Sequence, residues 1–126
     1  MTLLTALEPQ VQRSLDDAVR DIAWSPTGRV LALGADGKAL RAADGQLTGP
    51  IGPDPIGCCW INDHRVAVVD GMVGLAVAGG GSIVLAPIDG ALTVQAPLQH
   101  GGSSASAGYC VVAGAGGLNV VHPERS

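Results

Sequence analysis

The 126-residue chain contains no phenylalanine, one tyrosine and two tryptophans. A core without aromatic bulk has to be built from small aliphatic side chains, and Ala, Val, Leu and Ile supply most of the 47% apolar content. Charge is also scarce, at 14% of residues, and seven Lys and Arg stand against eleven Asp and Glu for a net charge of −4. The basic residues form no cluster, so the sequence offers little to a phosphate backbone or an anionic membrane surface, and the reading is of no nucleic acid and no membrane partner. The amino-terminal stretch "MTLLTALEPQ" has neither a basic region ahead of its apolar residues nor a small-residue cleavage site, so no secretory signal is read and a cytoplasmic location is expected.

Cysteine is too sparse for a disulfide framework. Of the three, Cys58 and Cys59 are adjacent and would face opposite sides of a strand, which favours buried, reduced thiols. No pair has the spacing of a structural zinc site, so no metal is expected. One run, "GMVGLAVAGGGSIVLAPI" at 71–88, is uncharged and long enough to cross a bilayer as a helix. Its triple glycine is a poor helix interior and the repeat described below divides it into two strands, so a membrane span is not the reading.

Glycine and proline, by contrast, are plentiful. Nineteen Gly and eight Pro are scattered along the chain, a pattern of many short strands joined by tight turns. The stretch "DIAWSPTGRVLALGADG" at 21–37 shows the unit: apolar strand, Ser-Pro-x-Gly turn, apolar strand, Asp-Gly turn. Segments of this kind recur. Starting points at Arg29, Gly74 and Tyr109 give spacings of 45 and 35 residues, while "RDIAWSPTGRV" and "IGCCWINDHRV" superpose at a spacing of 36, with Trp24 over Trp60 and Val30 over Val66. The two registers are reconciled by eight or nine extra residues in the second unit, around "HRVAVVDGM". Periods near 40 residues are those of four-stranded propeller blades.

Over roughly residues 10–122 the chain resembles the WD-repeat β-propellers. The match is closest in "QVQRSLDDAVRDIAWSPTGRVLALGADGKALRAADGQL" and loosest in the third unit. It departs from that family where the Trp-Asp pair would stand, since Ala43-Asp44 and Ile88-Asp89 occupy those places, and His100-Gly101 is the nearest thing to the family's Gly-His pair. The resemblance implies an all-β fold of four-stranded antiparallel blades: blade 1 at about 18–51, blade 2 at about 55–98 and blade 3 at about 101–122. Three blades do not close a ring, because propellers have about four to eight. "QVQRSL" at 10–15 reads as a stray outer strand and the third blade lacks one. A second chain could therefore complete a six-bladed ring, each chain lending residues 10–15 to the other's last blade. A homodimer is favoured, and a trimer is the alternative. Residues 5–16 have a competing reading as a helix, from the spacing of Leu7, Val11 and Leu15 and the Thr5-Glu8 capping pair.

No constellation of catalytic residues stands out, and neither an enzyme nor a cofactor is expected. His100 near Ser103 and Ser104 is a low-grade nucleophile pattern. "GADG", "AGGGS" and "AGAGG" lead into strands rather than helices, so they read as turns, not phosphate loops. Trp24 and Trp60 are expected in the core, leaving Tyr109 as the free aromatic. The expected function is a protein-interaction scaffold with a protein partner, its rim including Arg20, Asp21, Arg29, Asp63, His64 and Arg65. The alternatives are a lectin-like or small-ligand-binding propeller, or part of a larger propeller protein.

Overall fold

The structure is a computed structural model and describes residues 12–41, 45–62, 64–79, 81–96 and 110–122. It is all-β, as expected. Among the described residues, ten strands form three antiparallel sheets. The first contains β1 (Val19–Trp24), β2 (Val30–Gly34) and β3 (Ala39–Arg41), and the second β4 (Pro55–Trp60), β5 (Val66–Asp70), β6 (Gly74–Gly79) and β7 (Ser82–Pro87). The third contains β8 (Ala91–Gln95), β9 (Cys110–Gly114) and β10 (Gly117–Val121). Each is a meander in which sequential strands pair. A single bridge between Leu40 and Leu47 begins a fourth position in the first sheet.

The inner strands of the middle sheet, β5 and β6, are buried on both faces while the edge strand β7 is largely exposed, and strand alternation divides the sheet's buried side chains between two cores. Cys58, Trp60, Val66, Val68 and Ala76 pack with Ala23, Leu31, Leu33, Ala39 and Ile51 of the first sheet and its connection. Ala67, Val69, Leu75 and Val77 pack with Ala91, Val94, Cys110 and Val112 of the third. Cys58 and Cys59 do face opposite cores, and all three thiols are free. The apolar run at 71–88 is split, because Gly81 takes φ +82° in the turn between β6 and β7, a backbone that glycine adopts without a Cβ penalty. Among the described residues no helix is long and apolar enough to cross a membrane.

The pairing registers fix the repeat. The first strand of every sheet carries a bulge, between Val19 and Asp21, Pro55 and Gly57, and Ala91 and Thr93, each 36 residues after the one before. The Trp24-over-Trp60 register is therefore the structural one, and the 45-residue alignment is overturned, since it set β2 against β6. The extra residues also lie elsewhere than expected. Val19 pairs with Gly34 and Pro55 with Asp70, both 15 residues on, whereas Ala91 pairs with Gly114, 23 residues on. The eight-residue excess is thus in the β8–β9 connection, not around residues 62–73. Residues 91–95, expected to end the second unit at about 98, instead pair with β9 and open the third. The third unit's expected inner strand in 101–107 lies outside the described residues.

Residues 12–18 belong to no strand or helix, and the rest of the 5–16 alternative lies outside the described residues. Leu15 nevertheless has a defined place: its Cδ1 would be 3.3 Å from a Cβ on Gly34, and the Ala35 N–H donates to the Ala18 carbonyl at 2.8 Å. The chain thus enters along the first sheet.

Candidate functional site

The first strands of the three sheets lie side by side. Cys58 N–H donates to the Asp21 carboxylate at 2.9 Å, and the buried Trp60 Nε1 donates to the Ala23 carbonyl at 3.2 Å, so β1 and β4 run in the same direction. Asp21 is held from its own strand too, its other oxygen accepting the Ile22 N–H at 2.9 Å. Together β1, β4 and β8 border a groove of about 710 Å³, with Asp21, Trp24, Trp60, Thr93 and Gln95 on its walls.

The chemistry of this groove is quiet. Burial pushes the Cys58 thiol up to about 12, with the Asp21 carboxylate adding to the effect. Cys59 is also pushed up to about 12, first by burial and then by Cys110, Cys58 and Asp21. Burial pushes Cys110 up to about 11. Such thiols remain protonated at neutral pH and are poor nucleophiles and metal ligands. Among the described residues no group of three or more His, Cys, Asp or Glu side chains is placed to hold a metal ion.

The five described residues of the expected rim set do not converge. Asp21 is half-buried in the groove and Arg20 is exposed beside it on β1. Arg29 is exposed in the β1–β2 turn, where its N–H donates to Ser25 Oγ at 2.9 Å. His64, exposed, and Arg65, half-buried, sit in the β4–β5 turn, with His64 facing a separate cleft. Asp63 lies outside the described residues, as do Tyr109, His100, Ser103 and Ser104.

Trp24 corrects the sequence reading, because it is 68% exposed whereas Trp60 is 8% exposed. The reason lies in the repeat. Trp60 points from the second sheet toward the first, and the equivalent Trp24 points from the first sheet to the side where, among the described residues, no further sheet stands. The same holds for Ile22, 59% exposed against 7% for its equivalent Cys58. At the other end of the stack, β10 aligns with β6, since Gly117 pairs with Gly114 as Gly74 pairs with Asp70. Leu118 and Val120 are 73% and 62% exposed where Leu75 and Val77 are 0% and 4%. Both ends of the stack thus present uncovered apolar faces. The chain matches no protein-family model and no curated protein.

These end faces, rather than the charged turns, are what sequence reasoning missed. The signal was present in the 36-residue register, which marks Ile22 and Trp24 as equivalents of buried residues once it is followed along the whole chain.

Proposed function

We propose that this chain is a non-catalytic interaction scaffold that associates head to tail with a second copy, two stacks of three sheets forming a closed six-bladed propeller. One observation carries the reading: the residues exposed on each end face occupy the places of residues that are buried on the corresponding face of the middle sheet. If a second copy docks its third sheet onto this chain's first, with the spacing already used between sheets within the chain, Ile22 and Trp24 meet Leu118 and Val120. Each large side chain so covered contributes about 1.5–3 kcal/mol. Repeating the contact at the other end closes the ring by two-fold symmetry. Residues 10–15 would lie as the outer strand beside the partner's β10, and the position of Leu15 along the first sheet supports that path. The binding function of such a ring is an argument from architecture, since propellers host many activities.

The test is the mass in solution at micromolar concentration. A mass of twice the chain is expected, three times the chain would support a trimeric ring, and a monomer overturns the proposal. Deleting residues 1–16 should weaken the dimer. The exposure of Trp24 also fits a second reading, a lectin-like platform for sugar rings. A glycan screen separates the two, because an indole buried between two chains gives no sugar response.

A further inference from the structure

Among the described residues, β7 forms the outer edge of the second sheet. Proteins keep such edges from pairing with other chains by making them short, by placing a charge or a proline within them, or by bulging them. β7 is built otherwise. It pairs with β6 from Ser82 to Pro87 without a register shift, its proline stands at the last position, and the sequence from 71 to 88 is uncharged. Ile83, Val84 and Leu85 are 48%, 46% and 57% exposed. Neighbours on a strand point to opposite faces, so β7 is open on both. The first sheet ends differently, since β3 is three residues long, stops at Arg41 and is followed by the bridge from Leu40 to Leu47.

The direction of the backbone groups on β7 follows from the opposite side of the sheet. The Ile61 N–H donates to the Arg65 carbonyl at 2.9 Å, which makes these residues a hydrogen-bonded pair, and bonded and non-bonded pairs alternate along antiparallel strands. Val66, one residue on, therefore bonds to its partner Ala78 on β6, and Val77 bonds to its partner Val84 on β7. Within β7, Ser82, Val84 and Ala86 turn their N–H and C=O toward β6, while Ile83 and Leu85 turn theirs outward. Pro87 has no N–H and ends the row of outward donors.

We infer that this edge pairs with the same edge of a second copy, antiparallel about a two-fold axis at Val84, so that two four-stranded sheets become one continuous sheet. The outward groups are self-complementary about that axis. Ile83 exchanges N–H···O=C bonds with the partner's Leu85, Leu85 does so with the partner's Ile83, and the two Val84 residues lie opposite each other. Ile83 packs on Leu85 across one face and Val84 on Val84 across the other, and cross-strand apolar pairs of this kind stabilise a sheet. Two chains of net charge −4 meet here through strands that carry no charge, which favours a second copy over a charged partner segment. The contact is separate from the end faces and does not depend on ring closure. A single six-residue strand is small beside the roughly 1,200–2,000 Å² of a stable interface, so the pairing belongs to high concentration.

The experiment is light scattering on the full chain from about 10 μM to about 1 mM, with amide hydrogen exchange read by NMR at both ends of that range. If the six-bladed ring forms, each ring carries more than one β7 edge, and the mass should climb beyond that of the ring as rings join. If the ring does not form, single chains should stop at a pair. In either case exchange at Ile83 and Leu85 should slow at least about threefold at the high concentration, while Val84, bonded to β6, changes little. Val84→Lys sets like charges against each other on the axis and should weaken the pairing at least about tenfold, leaving end-face association in place. Leu85→Pro, which deletes an outward donor at an edge that tolerates proline, should do the same. If a variant fails to fold, exchange in the native chain still decides. A mass that does not grow with concentration, growth that survives Val84→Lys, or unchanged exchange at Ile83 and Leu85 would overturn the inference. Slowing caused by the peptide Thr-Val-Thr-Val-Thr-Val but not by concentration would overturn it in favour of a foreign strand.

Discussion

Trp24 and Trp60 occupy the same position on equivalent strands, 36 residues apart, and pair with the equivalent residues Val30 and Val66. One indole is 68% exposed and the other 8%. Their chemistry and local backbone are alike, so the difference comes from what stands beside each sheet. Trp60 has the first sheet to pack against and donates its indole N–H to Ala23, whereas Trp24 faces outward from the end of the stack.

This asymmetry predicts how end-face variants behave. Trp24→Asp and Val120→Asp replace exposed side chains and should change single-chain stability by no more than about 0.5 kcal/mol. Each should abolish the dimer at micromolar concentration, because every contact in a head-to-tail ring uses one copy of each face. A mixture of the two variants contains one undamaged pair of faces, so light scattering should detect heterodimer where neither variant associates alone. Dimers that persist in both single variants would show that association uses another surface.

Asp70 is fully buried, and its carboxylate accepts three backbone N–H groups, from Asp54 at 2.8 Å, Met72 at 2.8 Å and Val73 at 3.0 Å. Asp70→Ala would strand these donors and should cost about 3 kcal/mol or more. Gly52→Ala tests the same contact from outside, since a Cβ there would lie 2.2 Å from the Asp70 carboxylate. Both losses should appear in urea unfolding as a lower midpoint with an unchanged slope.

The Asp21 carboxylate ties the first sheet to the second through the Cys58 N–H. Asp21→Ala should cost about 1–3 kcal/mol, whereas Asp21→Asn, which keeps an acceptor oxygen, should cost less. Urea unfolding measures both. Equal losses would mean that the shape of the side chain matters more than the hydrogen bond.

The thiols predict a pH dependence at the alkaline end. In the folded chain Cys58 and Cys59 are raised to about 12 from an ordinary 9.0, and Cys110 to about 11. The unfolded chain therefore loses these protons first, so their contribution to stability is full below pH 9 and is lost as pH rises toward 12. Urea midpoints should decline over that window, and a Cys58→Ala, Cys59→Ala, Cys110→Ala chain should show a shallower decline. At pH 8 the native thiols should react with a disulfide reagent far more slowly than those of the urea-unfolded chain.

Much of the local structure was legible from the sequence. Alternating small aliphatic residues and turn-forming glycines specified strands, and the adjacent Cys58 and Cys59 were assigned to opposite faces by the period of two alone. The break in the apolar run at 71–88 followed from Gly79-Gly80-Gly81. The candidate sites were less legible. Arg29, His64 and Arg65 sit in turns after first strands, as their sequence context suggested, but nothing local says that His64 and Asp21 face different cavities.

Sequence determined that this protein is all-β, built of short strands with a small-aliphatic core, because side-chain alternation and turn chemistry act within a few residues of the chain. Tertiary structure alone decided the phase of the repeat and the fate of each apolar face. The sequence reading set residues 91–95 at the end of the second unit, and only backbone pairing with β9 puts them at the start of the third. An apolar side chain at a given strand position is buried or exposed according to whether another sheet lies against it, and that is why Trp60 is core and Trp24 is surface.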